Sequence, residues 1–568
     1  MPVATRDRQP ARELLPLHTT DVIRSAEPHP PSVSIASSRD IWLLPTLSLF
    51  FFCSGACALT YQVLWLRLLG LVFGVTTYAA STVWASFMAG LAIGSLIAGR
   101  LADRVRRPLA WFGATELLIG GTALATSMVL GWLQQAYVEL YPSLADSLPS
   151  LTFARFAIAF AVLIIPTVLM GATFPFVVKS SALRTMGLGE RIGVLYGTNT
   201  AGAIVGTLAS GLYLIPQWGI HGTFLFAAAV NLIVGIGALA VAFAAPLKNA
   251  LQPDHASMTA RSLGVGAGDQ MFDVRRLWII LIVFAVSGFT SLALEVVWFR
   301  VLTLFLRPTV YGFAVMLASV LAGIAIGSYL LTPFLDRRMK WVAVLASLEF
   351  AIALATLSSF ALLVRMNDST VALTPLLSKV MHEWLVFPTV GSLQAVFPTA
   401  LLMGAAFPIG LRLWSSGGRE QTRAIARRIG FFYSVNVAGS ILGALVGGFF
   451  FLPLLGSRRS IIALATISFG SGLLLLAVSE WRRTVRVFVG GAATVVFALG
   501  VWRSPEPFDE FVAQRYPRQR VVWQEEGVEA TVVVHARGDE LTLSVNGNHQ
   551  ASTGRAMTYG HRLIGHLP

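Results

Sequence analysis

Apolar stretches of about 20 residues recur along the chain, separated by short polar and basic segments, and that length is what an α-helix needs to cross the hydrocarbon of a bilayer. The pattern predicts crossings near 42–66, 74–99, 110–133, 153–178, 193–215 and 221–244. It predicts a second set near 276–299, 308–333, 341–364, 388–411, 430–454 and 460–478, and a thirteenth at about 485–501. Alternating apolar and polar positions appear only afterwards, at Ala530–His535 and Leu541–Val545, as expected for strands.

The polar punctuation shows that the second set repeats the first. Ser54, Gly55, Leu59, Trp65, Arg67, Tyr78, Gly90, Gly94, Ser95, Asp103, Arg104 and Glu116 return 233 residues later. Their counterparts are Ser287, Gly288, Leu292, Trp298, Arg300, Tyr311, Gly323, Gly327, Ser328, Asp336, Arg337 and Glu349. Met170, Gly171, Phe174 and Pro175 recur at the same offset, as Met403, Gly404, Phe407 and Pro408. After a longer loop the offset becomes 237, with Gly193, Tyr196, Asn199, Gly202 and Gly206 returning as Gly430, Tyr433, Asn436, Gly439 and Gly443. Shared hydrophobicity constrains residue class but does not place Trp, Arg and Glu at matching sites. Each copy holds an even number of crossings, so the two enter the membrane in the same direction, as parallel repeats.

The predicted fold class is an all-α polytopic membrane protein with two parallel six-helix repeats and one extra helix, followed by a small β-hairpin domain. Its expected parts are a disordered cytoplasmic tail at 1–40, repeats at 41–245 and 276–478 joined by a cytoplasmic loop at 246–275, a further helix at 479–502, and the hairpin region at 503–568.

Composition agrees: the chain is 55% hydrophobic and 12% charged, about half the charge of a soluble domain. The net charge of +14 falls mainly in runs between apolar segments, such as Arg100–Arg107, Arg337–Lys340 and Arg412–Arg428, an arrangement that suits anionic lipid rather than nucleic acid. The segment 134–150 has no Lys or Arg. This bias places the N-terminus and even-numbered loops in the cytoplasm, in a bacterial inner membrane. Two alternatives stay open for the tail: it is external after thirteen crossings, or one assigned segment does not span and it is cytoplasmic, as a nucleotide-dependent enzyme would be. Cys53 and Cys57 lie four apart on one helix and read as packing groups, and the nine histidines show no metal-ligand spacing, so no metal site is expected.

Gly99, Asp103, Arg104 and Arg107, with Asp336 and Arg337 in the second copy, resemble the cytoplasmic loop motif of major-facilitator transporters. That resemblance implies a structural clamp between helices and a transporter-like fold. Buried charge marks candidate chemistry, because an ionised group in hydrocarbon needs a partner or a cavity. Glu116, Glu349 and Glu295 are therefore substrate or ion candidates, together with Arg67 and Arg300 near their helix ends. Glu116 and Glu349 recur and suit fastening, whereas Glu295 replaces Gln62 and suits a task performed once. The glycine pairs Gly202/Gly206 and Gly439/Gly443 predict close helix contacts, with Asn199 and Asn436 bonding across them.

In the tail, Asn546–Gly547 predicts a hairpin turn. Leu541, Leu543, Asn546, Gly547 and Gln550, then Tyr559, His561, Leu563, His566 and Pro568, resemble the N-terminal hairpin and following helix of spermidine synthase, although that family usually turns on Asp-Gly. Together with the membrane region, the chain resembles bacterial fusions of a transporter-like part with a spermidine-synthase-like part, ending before the catalytic α/β domain. The resemblance implies pocket-edge roles for Gln550, Tyr559 and His561. It also implies decarboxylated S-adenosylmethionine as cofactor only where a further domain or subunit completes the enzyme, and no cofactor for this stretch itself. Three functions stay open: handling of a small solute, cationic in the case of a polyamine; an anchored aminopropyltransferase-like enzyme completed elsewhere; and a structural anchor.

Overall fold

The computed structural model describes residues 38–73, 77–102, 104–144, 147–180, 188–244, 274–306, 310–335, 337–416, 423–516, 519–527 and 530–566. Residues 1–37, most of the expected inter-repeat loop, Asp103 and Asp336 lie outside the described residues. The first repeat comprises α1 (Ser38–Phe73), α2 (Thr77–Ala102), α3 (Pro108–Leu144), α4 (Leu148–Ser180), α5 (Leu188–Ala209) and α6 (Ile215–Ala244). The second comprises α7 (Val274–Leu306), α8 (Val310–Leu331), α9 (Trp341–Val364), the short α10 (Met366–Leu377) and α11 (Glu383–Ala395), α12 (Phe397–Ser416), α13 (Arg423–Val446) and α14 (Leu452–Ala477). Helix α15 (Arg483–Arg503) follows.

Among the described residues, 11 helical stretches are long and apolar enough to cross a membrane. Two of them, Val194–Ala244 and Phe431–Ala477, run for 51 and 47 residues, more than twice the length a single crossing needs. Each contains one glycine outside helical geometry, Gly219 at φ 68° and Gly456 at φ 70°, a left-handed conformation that costs glycine little and lets the chain turn back. Each long stretch therefore holds two crossings. The expected crossing at 388–411 is instead divided: α11 stops at Ala395 and α12 begins at Phe397, with Pro398, which lacks an N–H, in its first turn. Its counterpart α4 runs unbroken through Pro166 and Pro175.

The repeats pair their helices identically. In the first, α1 packs on α5 and α6, α2 on α4, and α3 on α4 and α6; in the second, α7 packs on α13 and α14, α8 on α12, and α9 on α12 and α14. Glycine makes these seams close. A side chain at Gly202 or Gly206 would meet the backbone of Phe52 or Ala56, and one at Gly439 or Gly443 would meet that of Ala285 or Phe289. Across the same seams Asn199 Nδ2 donates to the Phe51 carbonyl at 3.0 Å, and Asn436 Nδ2 to the Phe284 carbonyl at 2.9 Å. The halves meet through α2 against α13 and α5 against α8, contacts that exchange under the internal twofold.

The tail begins with α16 (Pro507–Arg515) and an antiparallel sheet in the order β1 (Arg520–Glu526), β2 (Thr531–Arg537), β3 (Glu540–Val545) and β4 (Asn548–Ser552), before α17 (Arg555–His566). The hairpin turn is where the sequence puts it, with Asn546 at φ 49° and Gly547 at φ 76°. Helix α16 and β1 were not expected, because β1 is exposed along its whole length and carries no alternation of burial. A small sheet cannot bury enough apolar surface alone. Here Val533 packs with Phe508, Val512 and Tyr516 of the α16 region against Phe305 at the end of α7.

Candidate functional site

Glu116, Glu295 and Glu349 are all buried, at 0%, 7% and 2% exposure, and each keeps one carboxylate oxygen without a hydrogen-bond partner. Among the described residues none of them forms an ion pair with a cationic side chain. Their surroundings differ. Glu116 on α3 accepts a 2.6 Å bond from Asn231 Nδ2 on α6, and Asn231 Oδ1 accepts a 2.9 Å bond from the Tyr61 hydroxyl on α1. Ser54 places a further hydroxyl beside the carboxylate. Three helices of one half thus meet at this carboxylate. At the equivalent places around Glu349 the sequence has Leu294 for Tyr61 and Ser468 for Asn231, and the Ser468 hydroxyl is itself buried without a partner.

Glu295 lies on α7, the helix that carries an aromatic contact between the halves. One helical turn further along the same face of α7 is Phe299, whose ring meets Trp84 of α2 edge-on at 5.8 Å and Phe313 of α8 at 5.5 Å. A second contact on this end of the seam stacks Tyr78 of α2 on Phe449 at 4.9 Å, with Phe156 of α4 against the same ring. These aromatics seal the halves together towards the end that carries the tail. Glu295 is buried one helical turn before Phe299 on α7. The neighbouring indole N–H of Trp298 is buried without a partner, whereas its counterpart Trp65 donates to Thr126 Oγ1 at 2.8 Å.

The two arginines part company. Arg67 is exposed at the end of α1. Arg300 is buried, and its Nη2 donates to the Gly527 carbonyl at 2.9 Å and to Thr531 Oγ1 at 2.6 Å. Beside it the Glu526 carboxylate takes the Ser457 backbone N–H at 3.3 Å and the Ser457 hydroxyl, capping the helix that restarts after Gly456. Arg458 reaches the Ser504 carbonyl and Glu506, and Gln514 reaches the Val364 carbonyl and Asn367. Arg300 therefore holds the tail rather than facing Glu295. No short motif marks Glu526, Gly527 or Thr531, so the sequence offered no signal for this contact. Asn231 and Tyr61 were also missed, although a lone Asn in an apolar helix was the available sign.

The remaining candidates lie apart. Gln550 on β4 and Tyr559 and His561 on α17 are exposed. Gly99 is open, Arg104 is exposed, the Arg107 guanidinium lies 4.8 Å over the Phe243 ring of α6, and Arg337 lies 4.7 Å over Phe334. The Arg107 contact ties the α2–α3 turn to the end of α6 within one half.

No family model matches the chain. In fold it is similar to the nucleoside transporter NupG, at TM-score 0.50 and 14% identity over 78% of this chain and 100% of that one. The peptide transporter POT with bound sulfate aligns at TM-score 0.46 and 14% identity, over 77% of this chain and 94% of that one. A curated relative, polyamine aminopropyltransferase 2 of Streptomyces coelicolor, is 29% identical over 188 residues, 32% of each chain. The chain thus spans about a third of the length of that relative. An alignment of 188 residues is far longer than the segment 503–568, so most of it falls on membrane helices. The membrane part is similar in fold to NupG, and a four-stranded sheet is attached to it.

Proposed function

We propose that this protein is an alternating-access carrier of a small solute in a bacterial inner membrane, with a cationic solute such as a polyamine as the first to test. The observation that carries the reading is Glu295, a buried carboxylate without a cationic partner among the described residues, one turn from an aromatic contact between the two halves. A cation reaching it supplies the missing counter-charge, and the adjacent rings favour an ammonium group. The aminopropyltransferase name of the curated relative motivates the choice of polyamine.

The basic loops and the tail occupy opposite ends of the bundle. With the basic loops and N-terminus in the cytoplasm, the tail lies outside. Radiolabelled spermidine uptake into proteoliposomes, with and without a proton gradient, tests the reading. Glu295→Gln is expected to lower uptake at least about tenfold, the scale on which losing a buried charge partner acts. Uptake unchanged in that variant would remove Glu295 from the site, and no uptake by the parent protein would remove the polyamine.

The tail's resemblance to spermidine synthase and the curated relative's name support a second reading, a membrane-anchored aminopropyltransferase-like enzyme completed by a further domain or subunit. In that reading the exposed Gln550, Tyr559 and His561 would face the completing part, which would hold decarboxylated S-adenosylmethionine.

A further inference from the structure

Duplication supplies an internal control for the buried carboxylates. Glu116 and Glu349 occupy the same place in equivalent helices, yet only Glu116 is surrounded by groups that can answer a change in its charge. If the carboxylate were merely a fastener, all of its partners would be expected in both halves. The Ser54 hydroxyl returns as Ser287, but the amide and the phenol are kept in one half.

The Asn231 amide is the decisive group, because it carries two donors on nitrogen and an acceptor oxygen. In the arrangement found, Nδ2 donates to Glu116 Oε2 and Oδ1 accepts the Tyr61 proton, which suits an ionised carboxylate. Turning the amide over reverses both bonds. Oδ1 then accepts a proton from a neutral Glu116 acid, while Nδ2 donates to the Tyr61 oxygen. The Glu116–Asn231 bond is thereby made in either protonation state without moving the backbone. The other titratable groups near Glu116 are Cys53 and Cys57 on α1, and neither supplies positive charge. Leu294 and Ser468 give Glu349 no such pair of arrangements.

We infer that Glu116 is a proton-binding site of the first half, with Asn231 and Tyr61 as its positioning residues, and that Glu349 is not. Binding is simple: a proton from water adds to a carboxylate oxygen, the amide reverses, and release restores the starting bonds. The proton is held on Oε2, the oxygen that faces the Asn231 amide. This assignment does not rest on the identity of the solute or on Glu295.

Infrared difference spectra of the full chain in lipid, recorded across a pH step, test it without any transport measurement. A carboxylic-acid carbonyl band is expected to appear and disappear with the step, to vanish in Glu116→Gln, and to persist in Glu349→Gln. Tyr61→Phe keeps the carboxyl group and guards against a misfolded Glu116 variant. It is expected to move the pH of half-change by about one unit, the scale of one lost hydrogen bond in the relay. A band that survives Glu116→Gln, that is removed by Glu349→Gln, or whose half-change is unmoved in Tyr61→Phe overturns the assignment. A failure of solute uptake would overturn the carrier reading and leave this result standing.

Discussion

The two halves share a packing plan and differ in what their polar residues do. Glycine seams, asparagine bridges and helix pairing are the same in both. Arg67 faces the surface while Arg300 is buried under a sheet, Glu116 has an amide and a phenol while Glu349 has neither, and Trp65 has a bonded N–H while Trp298 does not. Close backbone contact tolerates only small side chains, so both copies keep it. Polar side chains lose their partners one substitution at a time, which frees one copy for a separate task.

The largest effect tests the sameness. Gly206→Leu and Gly443→Leu each force a side chain into backbone across a seam, and each is expected to lower stability by about 3 kcal/mol, since neither neighbour is a side chain that can move aside. Melting in detergent with a fluorescent reporter measures it. Strongly unequal losses would show that the halves are not mechanically equivalent.

The next sharpens the contrast between the arginines. Arg300→Ala removes two charge-assisted bonds to the tail and is expected to cost about 2 kcal/mol of docking, while Arg67→Ala is expected to cost almost nothing. Limited proteolysis of residues 519–566 reads this directly. Equal sensitivity in the two variants would contradict the docking role.

A smaller effect concerns pH. His535 is buried beneath the sheet, stacked on Tyr516 at 4.0 Å and bonded to Ser544 at 3.2 Å. Burial first, and neighbouring His549 second, hold its pKa below the ordinary value of 6.5. The unfolded tail therefore takes up the proton more readily. The contribution of neutral His535 to the folded tail is complete above 6.5 and is lost as pH falls through the lower, folded value. Proteolysis of the tail is expected to speed up on acidification, and His535→Phe to flatten that dependence.

The smallest is Arg458→Met at the partly exposed pair with Glu506, 3.3 Å apart. Burial pushes the Glu506 pKa up while Arg458 opposes it, and the ion pair itself is expected to be worth under about 1 kcal/mol. A larger loss in the melting assay would be assigned to the bonds that Arg458 also makes to the Ser504 carbonyl.

Much of the architecture was legible because membrane helices obey local constraints. Length, hydrophobicity and a fixed offset of glycines, asparagines and charges are written position by position, and they determined the duplicated all-α bundle, its parallel sense, the glycine seams and the Asn546–Gly547 turn. The divided α11–α12 crossing was hidden because both parts are apolar and proline also occurs in unbroken membrane helices such as α4. Which polar groups meet was not local at all. Glu116 finds Asn231 across 115 positions and Arg300 finds Thr531 across 231, and nothing near either residue specifies the other. The sequence alone thus determined a twofold transporter-like scaffold with acidic residues inside it. Only the tertiary structure decided that one carboxylate meets an amide bonded to a phenol, that another lies a turn from an aromatic contact between the halves, and that one arginine belongs to the tail, because side-chain partnership depends on where folded helices bring distant residues together.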